Sequence, residues 1–246
     1  MESYNPWHGC TKYSEGCLNC YVYRMDKMYG RDPSQWTTTA NIELPLKKKR
    51  DDSYKYPSGT RFFTCYTSDF FIPQADNVRD IVWNVMKIRS DCYFTIVTKR
   101  IDLAVSRFPK DWGYGYPNVE IMCTVESQRQ ADYRLPIFNS IPIVNKSICA
   151  EPLLENIYIE PYLYNSNIKY IVSGGESGYG DSIRICREEW VAHLYDQAHR
   201  YNIPMCFKQT GTKFLHMGGV LEIVARQNQM KRAIELGYQD FCIDSL

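Results

Sequence analysis

The feature that most constrains the fold of this chain is a rhythm that begins at about residue 60. Short apolar runs alternate with helical stretches, and each run ends in a polar or charged cluster. The run 61–66 closes on Thr67-Ser68-Asp69, and a segment with helical periodicity follows at 80–88. The run 93–97 closes on Thr98-Lys99-Arg100, and 119–123 on Thr124-Val125-Glu126. The run 142–149 closes on Ala150-Glu151-Pro152, and 168–172 on Ser173-Gly174-Gly175-Glu176-Ser177-Gly178. A last run, 204–207, closes on Lys208-Gln209-Thr210-Gly211 after an amphipathic helix at 188–201. Strand-then-helix repetition argues for a parallel sheet with helical crossovers. In such sheets ligands gather outside the C-terminal ends of the strands, where all these clusters fall. The predicted fold is α/β, a partial or distorted (β/α) TIM-like barrel of about six to seven parallel strands. A flat doubly wound sheet is the alternative. No linker, repeat or low-complexity block interrupts the chain, so one domain is expected over 1–246. Its N-terminal cysteine loop spans 8–21. A less regular C-terminal extension spans 213–246, with Gly218-Gly219 and a short helix around 222–236.

Composition narrows the function classes. A hydrophobic content of 44% supports a substantial core, and a net charge of +1 argues against a purely electrostatic polyanion binder. The local run Lys47-Lys48-Lys49-Arg50 reads as a solvated loop. No apolar run approaches the roughly 18 residues of a membrane span. The first residues lack the basic and apolar regions of a secretory signal. Seven of the ten cysteines are scattered, several inside apolar runs, as reduced core thiols are. A cytoplasmic location is therefore expected.

The other three are clustered. Cys10, Cys17 and Cys20 form a C-x6-C-x2-C pattern. The close pair puts two sulfurs on one side of a tight turn, and three thiolates leave one metal position open. Spacing alone fits an iron–sulfur cluster or zinc; zinc wants a fourth ligand, and the nearest histidine is His8. Residues 21–29 read as a helix, whose N-terminus beside Cys20 would favour the negative charge of a thiolate cluster. The glycines of 174–178 match neither a dinucleotide fingerprint nor a Walker A loop. They permit close backbone approach to a ligand, or simply a tight strand-to-helix turn. Lys99 and Arg100 suit a carboxylate or phosphate. Glu151 suits a cation, a ribose hydroxyl or a structural salt bridge. The four histidines form no metal-binding pattern.

With these residues in view, the chain resembles the phage-encoded three-Cys-motif proteins, which are similar to radical S-adenosylmethionine enzymes. The resemblance is carried by Asn5-Pro-Trp-His-Gly-Cys10 with Ser14-Glu-Gly-Cys17-Leu-Asn-Cys20-Tyr21, then Ser68-Asp69-Phe70-Phe71 and Thr98-Lys99-Arg100. Val125-Glu126-Ser127-Gln128 with Ala131-Asp132, Glu151-Pro152-Leu153, Gly174-Gly-Glu-Ser-Gly178 and Phe207-Lys208-Gln209-Thr210-Gly211 complete it, in order along nearly the whole chain. The chain departs from that pattern at Tyr66-Thr67 and Thr210, and its cysteine spacing is longer than the C-x3-C-x2-C usual in radical enzymes.

The resemblance implies a [4Fe–4S] cluster on Cys10, Cys17 and Cys20, with S-adenosylmethionine on the open iron. By position it implies Ser68 and Asp69 near the methionine amino group and Lys99 or Arg100 at its carboxylate. Glu126 would meet the ribose hydroxyls, and Gly174 and Gly175 would make backbone contact. Glu151, Glu176 and Lys208, with Gln209, would be left for substrate and catalysis. A strand thiol such as Cys65, Cys123 or Cys149 is either a hydrogen-atom donor or a core residue. The expected activity is a radical modification or rearrangement of a small molecule or nucleobase, the base free or within DNA. An external electron donor would be required, and no membrane. The competing expectations are a non-radical aminocarboxypropyl transferase on the same cluster, and a zinc-stabilised binding module.

Overall fold

The structure is a computed structural model and describes residues 1–242. The last four residues of the expected C-terminal extension lie outside the described residues. In chain order the elements are β1 (Glu2–Tyr4), β2 (Trp7–His8), α1 (Tyr21–Met28), β3 (Thr37–Thr38), β4 (Arg61–Thr64), α2 (Arg79–Ile88) and β5 (Tyr93–Thr98). Then come α3 (Ile101–Ala104), β6 (Val119–Thr124), α4 (Gln128–Ser140), β7 (Asn145–Ala150), α5 (Glu160–Leu163) and β8 (Ile168–Gly174). The chain finishes with β9 (Ile185–Arg187), α6 (Glu188–Arg200), β10 (Met205–Gln209), β11 (Lys213–Leu215), β12 (Leu221–Ile223) and α7 (Gln229–Leu236).

Seven strands form the main sheet in the order β1-β4-β5-β6-β7-β8-β10. The pairings β1–β4, β4–β5, β7–β8 and β8–β10 are all parallel. This is the α/β fold of a partial, TIM-like barrel, as the strand-then-helix rhythm predicts. Strand order follows chain order from β4 to β8, so each helical crossover joins neighbouring strands. Among the described residues no helix is long and apolar enough to cross a membrane.

Two compact units divide the chain. The first comprises residues 1–12, 22–122 and 141–145; the second comprises 13–21, 123–140 and 146–246. Cys10 thus belongs to the first, and Cys17 and Cys20 to the second.

In the first unit, register places Phe62 beside Phe94 and Thr64 beside Ile96 on one face of the sheet. Phe62 and Phe94 stack at 5.2 Å, with Tyr4 edge-on to both. A second aromatic cluster gathers Phe70 and Trp83 at 4.6 Å and Phe108 and Trp112 at 4.4 Å. Burying rings of this size is the main apolar driving force of the unit. The run Lys47 to Arg50 is an exposed turn closed by a bridge between Lys48 and Tyr54.

In the second unit, Ile148, Ile171 and Met205 form one buried row across β7, β8 and β10, and Cys149, Val172 and Cys206 the next. Since successive residues face opposite sides of a sheet, the two rows line opposite faces. A small sheet in the order β12-β11-β9 and helix α7 follow. The expected helix around 222–236 is shorter: β12 takes up its first residues and α7 starts only at Gln229. Gly237, at φ 80°, ends α7 in the left-handed conformation that glycine adopts without a Cβ penalty.

Candidate functional site

In the first unit the segment around Cys10 is tied to the C-terminal ends of β4 and β5. The Cys10 N–H donates to the Pro33 carbonyl at 2.8 Å, and its own carbonyl accepts the Tyr23 hydroxyl at 2.6 Å. Ser68 Oγ donates to the Gly9 carbonyl at 2.6 Å. Arg100 donates to the Thr11 carbonyl at 2.6 Å, and its other terminal nitrogen lies 3.6 Å from the Cys10 sulfur. Gly9 has a φ of 92°, and a Cβ there would lie 2.8 Å from the Gln35 carbonyl carbon. Only glycine fits that position.

Asp69 organises this end of the unit. One carboxylate oxygen accepts the Thr98 hydroxyl and the Phe71 N–H, both at 2.9 Å. The other accepts the Lys99 N–H at 3.0 Å and faces Arg100 at 3.3 Å. Asp69 and Arg100 are buried, whereas Ser68 and Lys99 are half-exposed. Sequence position alone put Asp69 beside a ligand; in the structure its bonds hold the turn that presents Lys99 and Arg100. Asp69→Ala should leave three donors and the guanidinium without their carboxylate and cost about 2–4 kcal/mol, read as a lowered urea midpoint. Asp69→Asn should retain part of that stability.

In the second unit Cys17 ends a 3-10 turn, Glu15–Cys17, and Cys20 immediately precedes α1. The Cys17 N–H donates to the Ser14 carbonyl at 2.9 Å, and the Cys20 N–H to the Cys17 carbonyl at 3.3 Å. This segment is tied to the ends of β6 and β8. Ser14 donates to the Glu126 carboxylate, which also accepts Arg134 at 2.7 Å; Glu126 and Arg134 side chains are both fully buried. A Cβ on Gly16 would lie 2.7 Å from the Glu126 carboxylate. Glu15 accepts the Ser127 hydroxyl and the Gln130 amide, the latter at 2.9 Å. Burial pushes the Glu15 carboxyl up, but those two bonds, a backbone bond and the charge of Arg129 hold it below its ordinary value.

Glu176, just past β8, accepts the Asn19 amide at 2.8 Å and the Arg184 backbone N–H at 3.0 Å, and pairs with the Arg184 guanidinium. Burial raises its pKa, yet the Arg184 and Asn19 hydrogen bonds and the Arg184 charge outweigh that and lower it. A carboxyl depressed in the folded state stabilises above its ordinary value, 4.5, and loses that contribution as pH falls through the folded value. Stability should therefore fall more steeply below about pH 4.5 in the natural chain than in Glu176→Gln, checked by urea titrations across the acid range.

Glu151, one residue past β7, accepts Lys208 at 3.0 Å and the Gln209 amide at 2.6 Å. The Glu151 charge is the largest cause of a raised Lys208 pKa, which keeps the ammonium protonated. Gly174 has the Glu151 and Gln209 side chains 3.1 Å from where its Cβ would be. At Gly175 a Cβ would lie 2.6 Å from the Thr210 carbonyl carbon and closer still to its oxygen. The close backbone approach at Gly175 is thus made by the protein's own chain.

None of the ten cysteines is in a disulfide. Cys10, Cys17 and Cys20 are half-exposed, Cys242 is exposed and the other six are buried. Burial is the first cause that raises the Cys65 thiol well above its ordinary value. Among the described residues no group of three or more His, Cys, Asp or Glu side chains is gathered as a metal site. Sequence reasoning singled out Glu126 and Glu176 but missed Arg134 and Arg184. Arg134 had a usable signal: it lies on the α4 stripe of Ala131, Leu135 and Phe138, all buried, where a charge needs a partner. Arg184 had none.

No curated protein and no solved structure matches the chain. A family model does, over residues 1–235: the chain belongs to the family described as "Protein of unknown function (DUF5131)".

Proposed function

We propose that this chain is a radical S-adenosylmethionine enzyme whose [4Fe–4S] cluster is held by Cys10, Cys17 and Cys20. The observation that carries the reading is the contrast among the thiols. These three are half-exposed, and the segments that bear them are bonded to strand C-terminal ends in their own units, while six others are buried. Among the described residues no three thiols are gathered as a metal site; what supports the reading is the donor chemistry: thiols outside any disulfide, a guanidinium beside Cys10, and a helix N-terminus directly after Cys20. When bound and reduced by an external donor, the cluster supplies one electron that splits S-adenosylmethionine into methionine and a 5′-deoxyadenosyl radical, which takes a hydrogen atom from substrate.

The chain's own residues then bind and orient. Lys99, half-exposed at the end of β5, would meet the methionine carboxylate, with Arg100 offsetting negative charge at Cys10. Asp69 and Ser68 fix that turn and the Gly9 carbonyl, and would lie near the methionine amino group. Glu126, buried on Arg134, holds the cysteine loop through Ser14 at the polar end of β6, where the ribose hydroxyls would be met. Glu151, Lys208 and Gln209 offer an acceptor, a protonated donor and a carboxamide, the groups that read the edge of a nucleobase. A base presented singly, in a nucleoside or turned out of DNA, does not require the high positive charge this chain lacks.

The test is product analysis under anaerobic, reducing conditions with S-adenosylmethionine. Formation of 5′-deoxyadenosine with methionine, lost in Cys17→Ala, is the expected result. Methylthioadenosine instead would assign aminocarboxypropyl transfer. Neither product, with zinc in the protein, would make the cysteine loop a structural clip.

A further inference from the structure

We infer that Arg184, together with Glu176 and Asn19, is a clamp that positions Cys17 and Cys20, and that Arg184 and Glu176 serve the thiols rather than the substrate. The inference rests on the reading that these two thiols are cluster ligands. The geometry is confined to the second unit. Glu176 Oε2 accepts three donors: the Asn19 side-chain amide at 2.8 Å, the Arg184 backbone N–H at 3.0 Å and Arg184 Nε at 3.1 Å. A terminal nitrogen of Arg184 pairs with the other Glu176 oxygen. The remaining terminal nitrogen reaches past the carboxylate and donates to the Glu15 carbonyl at 2.9 Å.

Each grip lies just ahead of one thiol. Glu15 opens the 3-10 turn that Cys17 closes, and its carbonyl already accepts the Leu18 N–H at 3.2 Å. Asn19 sits between the two cysteines, one residue before Cys20, and its amide also donates to the Ser182 carbonyl at 2.9 Å. One guanidinium therefore fixes the main chain ahead of Cys17, and the carboxylate it binds fixes the side chain ahead of Cys20. Only a planar fork with separate donors can hold a carboxylate on one edge and a carbonyl on the other. Glu176 is buried, so these bonds are not traded freely for water. Supporting bonds of this kind are what hold ligand side chains in register for a metal centre.

The experiment reads thiol reactivity directly, in metal-free protein, by timed alkylation with iodoacetamide and site-resolved mass spectrometry. In Arg184→Ala, Cys17 and Cys20 should be alkylated about tenfold faster than in the natural chain, as a local opening allows. Cys10, held by residues of the first unit, should keep its rate and so report that the first unit is unaffected. Arg184→Lys should not restore slow alkylation, since an ammonium cannot replace the fork. Asn19→Ala, which breaks no ion pair, should accelerate Cys20 more than Cys17. Unchanged rates at Cys17 and Cys20 in Arg184→Ala, or equal acceleration of all three thiols, would overturn the clamp. Iron uptake on reconstitution, measured in parallel, separates the two claims. A natural chain that takes up no iron defeats the cluster reading, while the alkylation rates still decide whether the clamp exists.

Discussion

Glu126→Ala is expected to destabilise the protein by about 3–5 kcal/mol, enough to unfold much of it at ordinary temperatures. The reason lies in what is left behind. Arg134 is fully buried, and among the described residues it donates to the Glu126 carboxylate and to the Thr124 carbonyl at 2.8 Å. Its Nε and second terminal nitrogen are buried without a hydrogen-bond partner already. Removing the carboxylate strands a whole positive charge away from water, whereas the pair itself need contribute little net stability. The double replacement Glu126→Leu with Arg134→Met should therefore recover most of the loss. Urea unfolding of the two variants and the natural chain gives the comparison directly, as shifts in midpoint at constant slope. A single variant as stable as the natural chain would mean that Arg134 finds another partner.

Gly175→Ala should be strongly damaging for a single added methyl, with a cost of about 3 kcal/mol. The added carbon would meet the Thr210 main chain, not a flexible side-chain end, and the Cys186 Cβ at 2.9 Å on another side. Neither strand end can withdraw cheaply, because the Gly175 N–H itself donates to the Gln209 carbonyl at 2.9 Å. Gly218→Ala is the control: nothing lies within 4 Å of its missing Cβ, and a change within about 0.5 kcal/mol is expected. Thermal or urea unfolding of the two variants side by side decides it. Equal stability would show that the approach of residues 175 and 210 is looser than the structure has it.

The barrel-type sheet was legible because each core strand combines a buried apolar run with a polar end, as Tyr93–Thr98 and Ile168–Gly174 do. Strands lacking that signature were not. β1 is three residues long with only Tyr4 buried, and its place beside β4 is set by pairing with distant residues. β12 exposes Leu221 and Ile223, so its apolar residues mimicked the start of the following helix. The site divides the same way. Strand-end position identifies Asp69, Glu126, Glu151 and Glu176 as carboxylates worth examining. Their partners Ser14, Arg134 and Arg184 are fixed only by the fold, and those partners show Glu126 and Glu176 bound to the cysteine segment. Gly174 and Gly175 carry the same lesson: a glycine pair at a strand end fits a ligand or a neighbouring chain, and at Gly175 the neighbour is Thr210.

The proposed cluster with an open iron on Cys10, Cys17 and Cys20 is tested by iron and sulfide analysis of anaerobically purified protein. Electron paramagnetic resonance of the dithionite-reduced sample, with and without S-adenosylmethionine, completes the measurement. About four iron and four sulfide per chain are expected, with a reduced-cluster signal that shifts when S-adenosylmethionine is added. Zinc in place of iron, or a signal indifferent to S-adenosylmethionine, would contradict the proposed cluster.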